Sequence, residues 1–445
     1  MVLVTNGRLI TRDSEGKGYY EHGAVAYEGA KIVEVGEESA LRAKYADAEI
    51  VDAKGGVIMP AFINAHTHIY SALARGLSIV GNNPTNFYEV LDGTWWAIDR
   101  HLMMDGTRAS ATALYIDSIK QGVTTIFDHH ASYGEIPGTL FTISEESRRL
   151  GLRSCLCYEV SDRDGEEKCL QAIKENADFI TYCQKQNDPM LAAMFGGHAL
   201  FTISDKTFDR MVEANNGRTG YHIHVSEGMN DVYDSLQNRR PVQRLQDHGI
   251  LGEKTILGHC IHVNTAEMDI IRETNTMVVN NPESNMGNAI GICPVLQLYK
   301  RGILLGMGTD AYTNDMLESL KVALCSQRSQ NCLPNVGWCE VTDMLFKNNA
   351  KIGARYFPDQ LGVLKAGAAA DIIVMDYKPF TPFSDENIDG HMIFGMTGRQ
   401  CQTTIAAGKV LMKDRVLVNI DEEAENAHIL EAAKKLWGDL NHRVY

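Results

Sequence analysis

The sequence predicts an α/β fold, a (β/α)8 TIM barrel with a small β-sandwich domain built from both termini. Three observations predict it. The middle of the 445-residue chain alternates eight short apolar runs with longer segments of helical composition, the rhythm of parallel strands joined by crossover helices. No glycine-rich phosphate loop follows the first run, which argues against an open doubly wound sheet. Histidines and carboxylates gather at the ends of the runs, where a barrel concentrates its chemistry.

Residues 1–55 alternate apolar and polar side chains between turn signals, as in Gly23-Ala-Val-Ala-Tyr-Glu-Gly29 and Lys31-Ile-Val-Glu-Val-Gly36, and read as short antiparallel strands. The eight barrel runs fall at 57–64, 123–128, 152–158, 191–198, 220–225, 255–259, 276–280 and 303–309. Of the connecting segments, 145–150 and 265–273 have helical composition. The barrel is expected over residues 56–364 and the second part of the sandwich over 365–420, where Ala370-Asp-Ile-Ile-Val-Met-Asp376 restores the early texture. Residues 421–445 are expected as a closing amphipathic helix with Ala424, Ile429, Ala432 and Leu436 on one side.

A net charge of −15 without a basic run argues against a nucleic-acid or anionic-membrane surface. No apolar stretch approaches the roughly 18 residues of a membrane span, and the first residues lack a signal-peptide profile. The ten cysteines form no Cys-x-x-Cys pair. Cys260 and Cys325 lie in apolar segments and read as buried small hydrophobes. A reducing cytoplasm is the expected compartment and a homo-oligomer the expected state.

Four pieces carry chemistry: His66-Thr67-His68, His224-Val-Ser-Glu227, His259 and Asp310. His66 and His68 stand two apart at the end of the first run, so strand alternation points both imidazoles to one face. Taken alone, the pair also fits two hydrogen-bonded core histidines. His222 and His224 share a face in the same way, with His222 assigned one layer deeper. Glu227 follows His224 by three residues, where the strand should break. That suits a general acid/base beside a metal ligand, although a solvated loop residue fits as well. His259 is assigned inward, as a hydrogen-bond partner of metal-bound water or a weak ligand, with His262 in the following loop. Asp310 closes Leu304-Leu-Gly-Met-Gly-Thr-Asp, where a buried carboxylate wants a cation unless it caps a helix. Three imidazoles, a carboxylate and a second carboxylate nearby make a hydrolytic metal site.

With these residues in place, the chain resembles the amidohydrolase superfamily. It is similar to the mononuclear branch of guanine and S-adenosylhomocysteine deaminases and triazine hydrolases, and within it to the SsnA-type aminohydrolases. The resemblance rests on Pro60-Ala-Phe-Ile-Asn-Ala-His-Thr-His68, Arg75-Gly76, Gly122-Val-Thr-Thr125, Gly197-His198, His224-Val-Ser-Glu227, Gly258-His-Cys260, Asn281-Pro-Glu-Ser-Asn285, Gly308-Thr-Asp310 and Gly367-Ala-Ala-Ala-Asp371. It implies that His66, His68, His224 and Asp310 bind one divalent ion, zinc in first place and iron in second. It also implies that Glu227 shuttles a proton and that His259 positions the hydroxide. By position it implies substrate contacts for Asp99, His198 and Asn285. The fourth run has no lysine to bridge two metals, so one metal is expected. The segment 86–96 and Asp128-His129-His130 depart from the family pattern. They leave the substrate open.

The expected reaction is hydrolytic. Metal-bound hydroxide attacks a C–N bond of a small purine- or pyrimidine-like ring, and ammonia leaves. The alternative is dechlorination, or other C–N hydrolysis on a triazine- or amide-like substrate. A rival outside enzymology is a scaffold that has lost its chemistry.

Overall fold

The computed structural model describes residues 1–234 and 239–443. Its centre is two parallel sheets, one of four strands and one of five, alternating with helices in a TIM-barrel-like α/β arrangement. The four-stranded arc runs Phe62–Thr67, Val123–His130, Arg153–Tyr158 and Leu191–Ala193. The five-stranded arc runs Phe195–Ala199, Tyr221–Val225, Ile256–His259, Met277–Asn280 and Leu305–Met307.

Two of the apolar runs are divided. Residues 191–198 break at Met194, whose N–H donates to Leu156 O in one arc while Phe195 N donates to Gly220 O in the other. One run thereby serves both sheets. Residues 57–64 break at Ala61. Val57–Pro60 pairs antiparallel with Ile372–Met375 and parallel with the first strand of the chain, so it lies in the terminal sheet. Only Phe62 onward enters the first arc. An apolar run carries no mark of where one sheet hands over to another.

The strands are apolar on both faces because both faces are covered. Ile63, Phe127, Cys155, Met194, Ile256 and Met277, drawn from both arcs, form one buried cluster. Their neighbours Phe62, Ile126, Leu156, Ile223, Leu257 and Val278 pack outward into the larger core. The edge strands of the two arcs approach at Thr67 and Asp310, which form a parallel bridge. Thr309 N and Asp310 N both donate to His66 O at 3.0 Å. Gly308 permits this approach, since a Cβ there would lie 2.7 Å from His66 Cβ and 2.5 Å from Asn281 Oδ1. Below that bridge, buried Asn349 donates to Ile63 O (2.7 Å) and Met307 O (2.8 Å) and accepts from Met307 N (2.8 Å).

The terminal β segments join into one nine-stranded mixed sheet. Arg153, fully buried at the start of the third barrel strand, pairs with Asp371 of that sheet, and Asp371 also accepts from Ala407 N at 2.6 Å. The helix expected over 145–150 spans Thr139–Leu150, and the one over 265–273 has those bounds, with Asn264 and Glu267 forming its capping box. The C-terminal helix spans Glu422–Asn441, capped by Asp421. The last two residues of the expected segment 421–445 lie outside the described residues. Ala432 and Leu436 are buried, but Ala424 is exposed, because the first turn meets the body of the protein through charged side chains, Glu422 on Lys120 and Glu425 on Arg149. Cys260 is buried as expected, whereas Cys325 sits on the open face of helix Met316–Asn331. No helix among the described residues is long and apolar enough to cross a membrane.

Candidate metal centre

The strand ends bring His66, His68, His224, His259, Glu227 and Asp310 together, all of them buried. Alternation alone does not achieve this. Ile63 and Ala65 face the inner cluster, so strict period two would send His66 and His68 outward. Pairing with the second strand loses register between Asn64 and Thr67, and the irregularity turns both imidazoles inward. His259 follows the outward-facing Leu257 by two, yet its left-handed backbone (φ 68°) swings its ring into the site. Ser226 (φ 49°) and Asp310 (φ 56°) are bent in the same way.

His68 Nε2 lies 3.2 Å from His224 Nε2 and 3.2 Å from Asp310 Oδ1. Two donors each about 2.05 Å from a tetrahedral ion stand about 3.3 Å apart, so the spacing fits one cation held between them. His68 Nδ1 donates to His129 O at 2.6 Å, which leaves its Nε2 as the lone-pair nitrogen. His66 Nδ1 meets His222 Nε2 at 2.8 Å, while His66 Nε2 is buried without a hydrogen-bond partner. An orphaned imidazole nitrogen in such a cluster is one that a metal ion would satisfy. The residues therefore fit a divalent metal.

The electrostatics agree. Burial and the neighbouring imidazoles hold His66 and His224 well below the usual histidine range, in the neutral form that ligates. Burial opposes charge on His68, yet hydrogen bonding and charge from Asp310, with Glu159, push it up to about 9. There a proton does what a metal cation does better. Burial also opposes charge on Asp310, but His68, His259 and Ser284 hold it well below the carboxylate range. Ser284 Oγ donates to Asp310 Oδ2 at 2.6 Å and Ala311 N to Oδ1 at 2.7 Å.

Glu227 stands apart from the cluster's hydrogen bonds. Its Oε1 is 3.6 Å from His259 Nε2, which is 3.5 Å from Asp310 Oδ2. Burial, then the charge of Asp310, raises Glu227 well above the usual carboxylate range. A carboxyl group that readily holds a proton is suited to accept one and pass it on.

Of the three expected substrate contacts, only His198 lines the cavity over this cluster. Asn285 Oδ1 instead accepts from His259 Nδ1 at 2.8 Å and so orients that ring. Asp99 is buried against Arg163 and is not among the cavity's lining residues. His222 sits one layer deeper, against His66. His262 lies in the loop after its strand, bonded to Ile290 O. Asp128, His129 and His130 are all fully buried: Asp128 accepts from Ile69 N, His129 bonds Glu159 and His222 O, and His130 bonds Ser132. Glu159 and Ser284 were not singled out from the sequence. Glu159 ends a barrel strand as Asp310 does, and that signal could have found it.

The cavity measures about 30 Å³ and is roofed by Phe87, Leu91 and Trp95, one face of a short helix begun by the Asn86 cap. The turn Leu91–Trp95 is a π-helix, a form often found at functional sites. The next face, Tyr88, Asp92 and Trp96, lines a separate groove.

The profile of the Amidohydrolase family matches residues 57–411, and the chain belongs to that family. Among curated proteins it is 28% identical to a 5'-deoxyadenosine deaminase of Methanosarcina mazei, over 100% of this chain and 99% of that one. It is 30% identical to a 5-methylthioadenosine/S-adenosylhomocysteine deaminase of Thermococcus sibiricus, over 92% and 94%. Among solved structures it resembles a zinc-bound adenosine deaminase from Xanthomonas campestris, with TM-score 0.84, 22% identity and 98% of each chain covered. It also resembles the zinc complex of an atrazine chlorohydrolase from Arthrobacter aurescens, with TM-score 0.80, 22% identity and coverage of 97% and 100%.

Proposed function

We propose that the protein is an aminohydrolase that replaces an amino group on a small heterocycle by oxygen and releases ammonia. The convergence of Glu227, His259 and Asp310 within 4.8 Å of one another, beside three further histidines, carries this reading. His66, His68, His224 and Asp310 are the residues that would hold the metal, with zinc favoured over iron by their nitrogen-rich donor set. A divalent ion bound there supplies Lewis acidity that brings the pKa of water towards neutrality.

The chain's own residues then divide the work. Glu227 takes a proton from the attacking water and delivers it to the ring nitrogen next to the reacting carbon. His259 Nε2 carries a lone pair, because its Nδ1–H is committed to Asn285. It holds the attacking oxygen's remaining hydrogen together with Asp310. The oxygen adds to the ring carbon, that hydrogen passes to the departing amine, and the C–N bond breaks. Ammonia leaves and an oxo product remains. Phe87, Leu91 and Trp95 exclude bulk water from the step.

The supporting domain reading is of one piece with this. Residues 56–364 are the catalytic unit, its two arcs closing into one eight-stranded barrel. The branched terminal sheet, in which the first strand pairs on one side with both Glu49–Asp52 and Val57–Pro60, folds as a small sandwich.

The test is ammonia release by metal-replete protein from a panel of purines, adenosine-type nucleosides, pyrimidines, pterins and triazines. Glu227→Gln should keep its metal content and lose activity by about 10²–10⁴-fold. Undiminished turnover in that variant refutes the role given to Glu227. Chloride release from chlorotriazines without ammonia release from any amine selects the dechlorinase alternative.

A further inference from the structure

Glu159 has no part in the steps above, yet it stands against the metal residues. It lies one residue past the strand Arg153–Tyr158, is 1% exposed, and lines the same cavity as His198 and Glu227. Its Oε1 bonds His129 Nδ1 at 2.9 Å, and His129 Nε2 donates to His222 O at 2.8 Å. With Oε1 engaged by His129, and 3.5 Å from His68 Nδ1, Oε2 is the carboxyl oxygen left as an acceptor.

Oε2 lies 3.6 Å from His198 Nε2. The hydroxyl of Thr202 donates to Ala199 O at 2.7 Å, so towards His198 Nδ1, at 3.0 Å, Thr202 accepts. His198 Nε2 is then also an acceptor, met only by a long contact from Trp96 Nε1 at 3.4 Å. Two buried acceptors side by side cannot satisfy one another, and leaving them without donors is costly. The cavity wall contains Glu159, Glu227 and Asp310 but no lysine or arginine. A divalent ion held by His68, His224 and Asp310 would balance the charge on that side of the cavity, so it is the edge at Glu159 and His198 that calls for hydrogen-bond donors.

We propose that Glu159 Oε2 and His198 Nε2 form an acceptor pair that selects the substrate. The substrate is a flat heterocycle with a second exocyclic amino group besides the amine it loses. Rings with an oxo group at that edge, or with carboxylate or phosphate there, are rejected. This rests on the aminohydrolase reading and adds to it the chemical class of the ring.

The test uses matched ligands on metal-loaded protein: 2,6-diaminopurine against 2-oxo-6-aminopurine, and 2,4-diaminopyrimidine against 4-amino-2-oxopyrimidine. Dissociation constants are measured by calorimetry and ammonia release is measured in parallel. In the wild type at least one amino member should bind about tenfold or more tightly than its oxo partner. In Glu159→Leu, which removes the acceptor, that ratio should fall to about threefold or less with metal content unchanged. Glu159→Asp, which keeps the charge but withdraws it, should fall between them. A merely structural role for Glu159 weakens both members of a pair alike and leaves the ratio intact.

Equal binding within both pairs, an unchanged ratio in Glu159→Leu, or no binding by either diamino ligand overturns the proposal. Selective binding with no ammonia from any panel member leaves the acceptor pair standing and sinks the aminohydrolase reading. Ammonia release without selectivity does the reverse.

Discussion

Glu283 shows how a single side chain away from the metal can set a pH dependence. Burial, then the charges of Glu318 and Asp315, pushes its pKa up to about 7, against the hydrogen bond it accepts from Ser319 at 3.0 Å. The folded value lies above the unfolded one of about 4.3. Its stabilising contribution is therefore full below that unfolded value and is lost as pH rises through 7. Glu283→Gln should gain about 1–2 kcal/mol on wild type between pH 5 and pH 8, after discount for partial exposure. Urea unfolding of metal-loaded protein at the two pH values checks this. The same scale separates what the sequence discloses from what it does not. His66, His68, His224 and Asp310 are legible because each ends an apolar run. What turns them inward, a register slip in one strand and left-handed φ values at His259 and Asp310, leaves no mark in composition. A non-glycine residue held there stores about 1–3 kcal/mol, which the surrounding contacts must offset. The partners that orient the ligands, His129, Ser284 and Asn285 acting on His259, are polar residues of kinds found throughout the chain. Their roles emerge only from contacts between distant positions.

At the scale of elements, the approach of the two arcs at Thr67 and Asp310 is reinforced from below by one amide. Asn349, on the helix Asn349–Gly353, takes the place of ladder hydrogen bonds between Ile63 and Met307. Asn349→Ala strands three buried backbone groups at about 1–3 kcal/mol each before relaxation. The expected loss is about 3 kcal/mol or more, read from the denaturant midpoint. A loss under about 1 kcal/mol would show that the edges hold without it. Of the helices only 145–150, 265–273 and the C-terminal segment were legible, whereas strand spans were mostly legible because strands buried on both faces read as unbroken apolar runs. The divisions at Ala61 and Met194 were not, since a run that passes from one sheet to another keeps its composition. The roof of the cavity was unreadable for a related reason. Phe87, Leu91 and Trp95 face one cavity while Tyr88, Asp92 and Trp96 face another, so the segment is apolar in both directions.

At the scale of the whole molecule, the barrel-like part and the terminal sheet are joined through buried charge. Arg153 has two guanidinium nitrogens without hydrogen bonds and is compensated chiefly by Asp371, with Asp359 farther off at 3.9 Å. Asp371→Ala should cost about 3 kcal/mol, because it leaves a buried cation with only that distant carboxylate. A variant with both residues made apolar should recover much of that loss, and a double-mutant cycle in urea measures the difference. The Gly367-Ala-Ala-Ala-Asp371 motif thus has its physical reason at the junction of two parts, far from the chemistry. The residues proposed to hold the metal span a junction of their own: His66 and His68 come from one arc, His224 and Asp310 from the other. A growing polypeptide cannot offer this full set until both halves have been synthesised and have met. On the proposed function, loading would consequently be a late event in the life of each molecule. In a cell short of the ion, the two halves would be held at the rim by the backbone bridge alone, and such chains would be the first that quality-control proteases open.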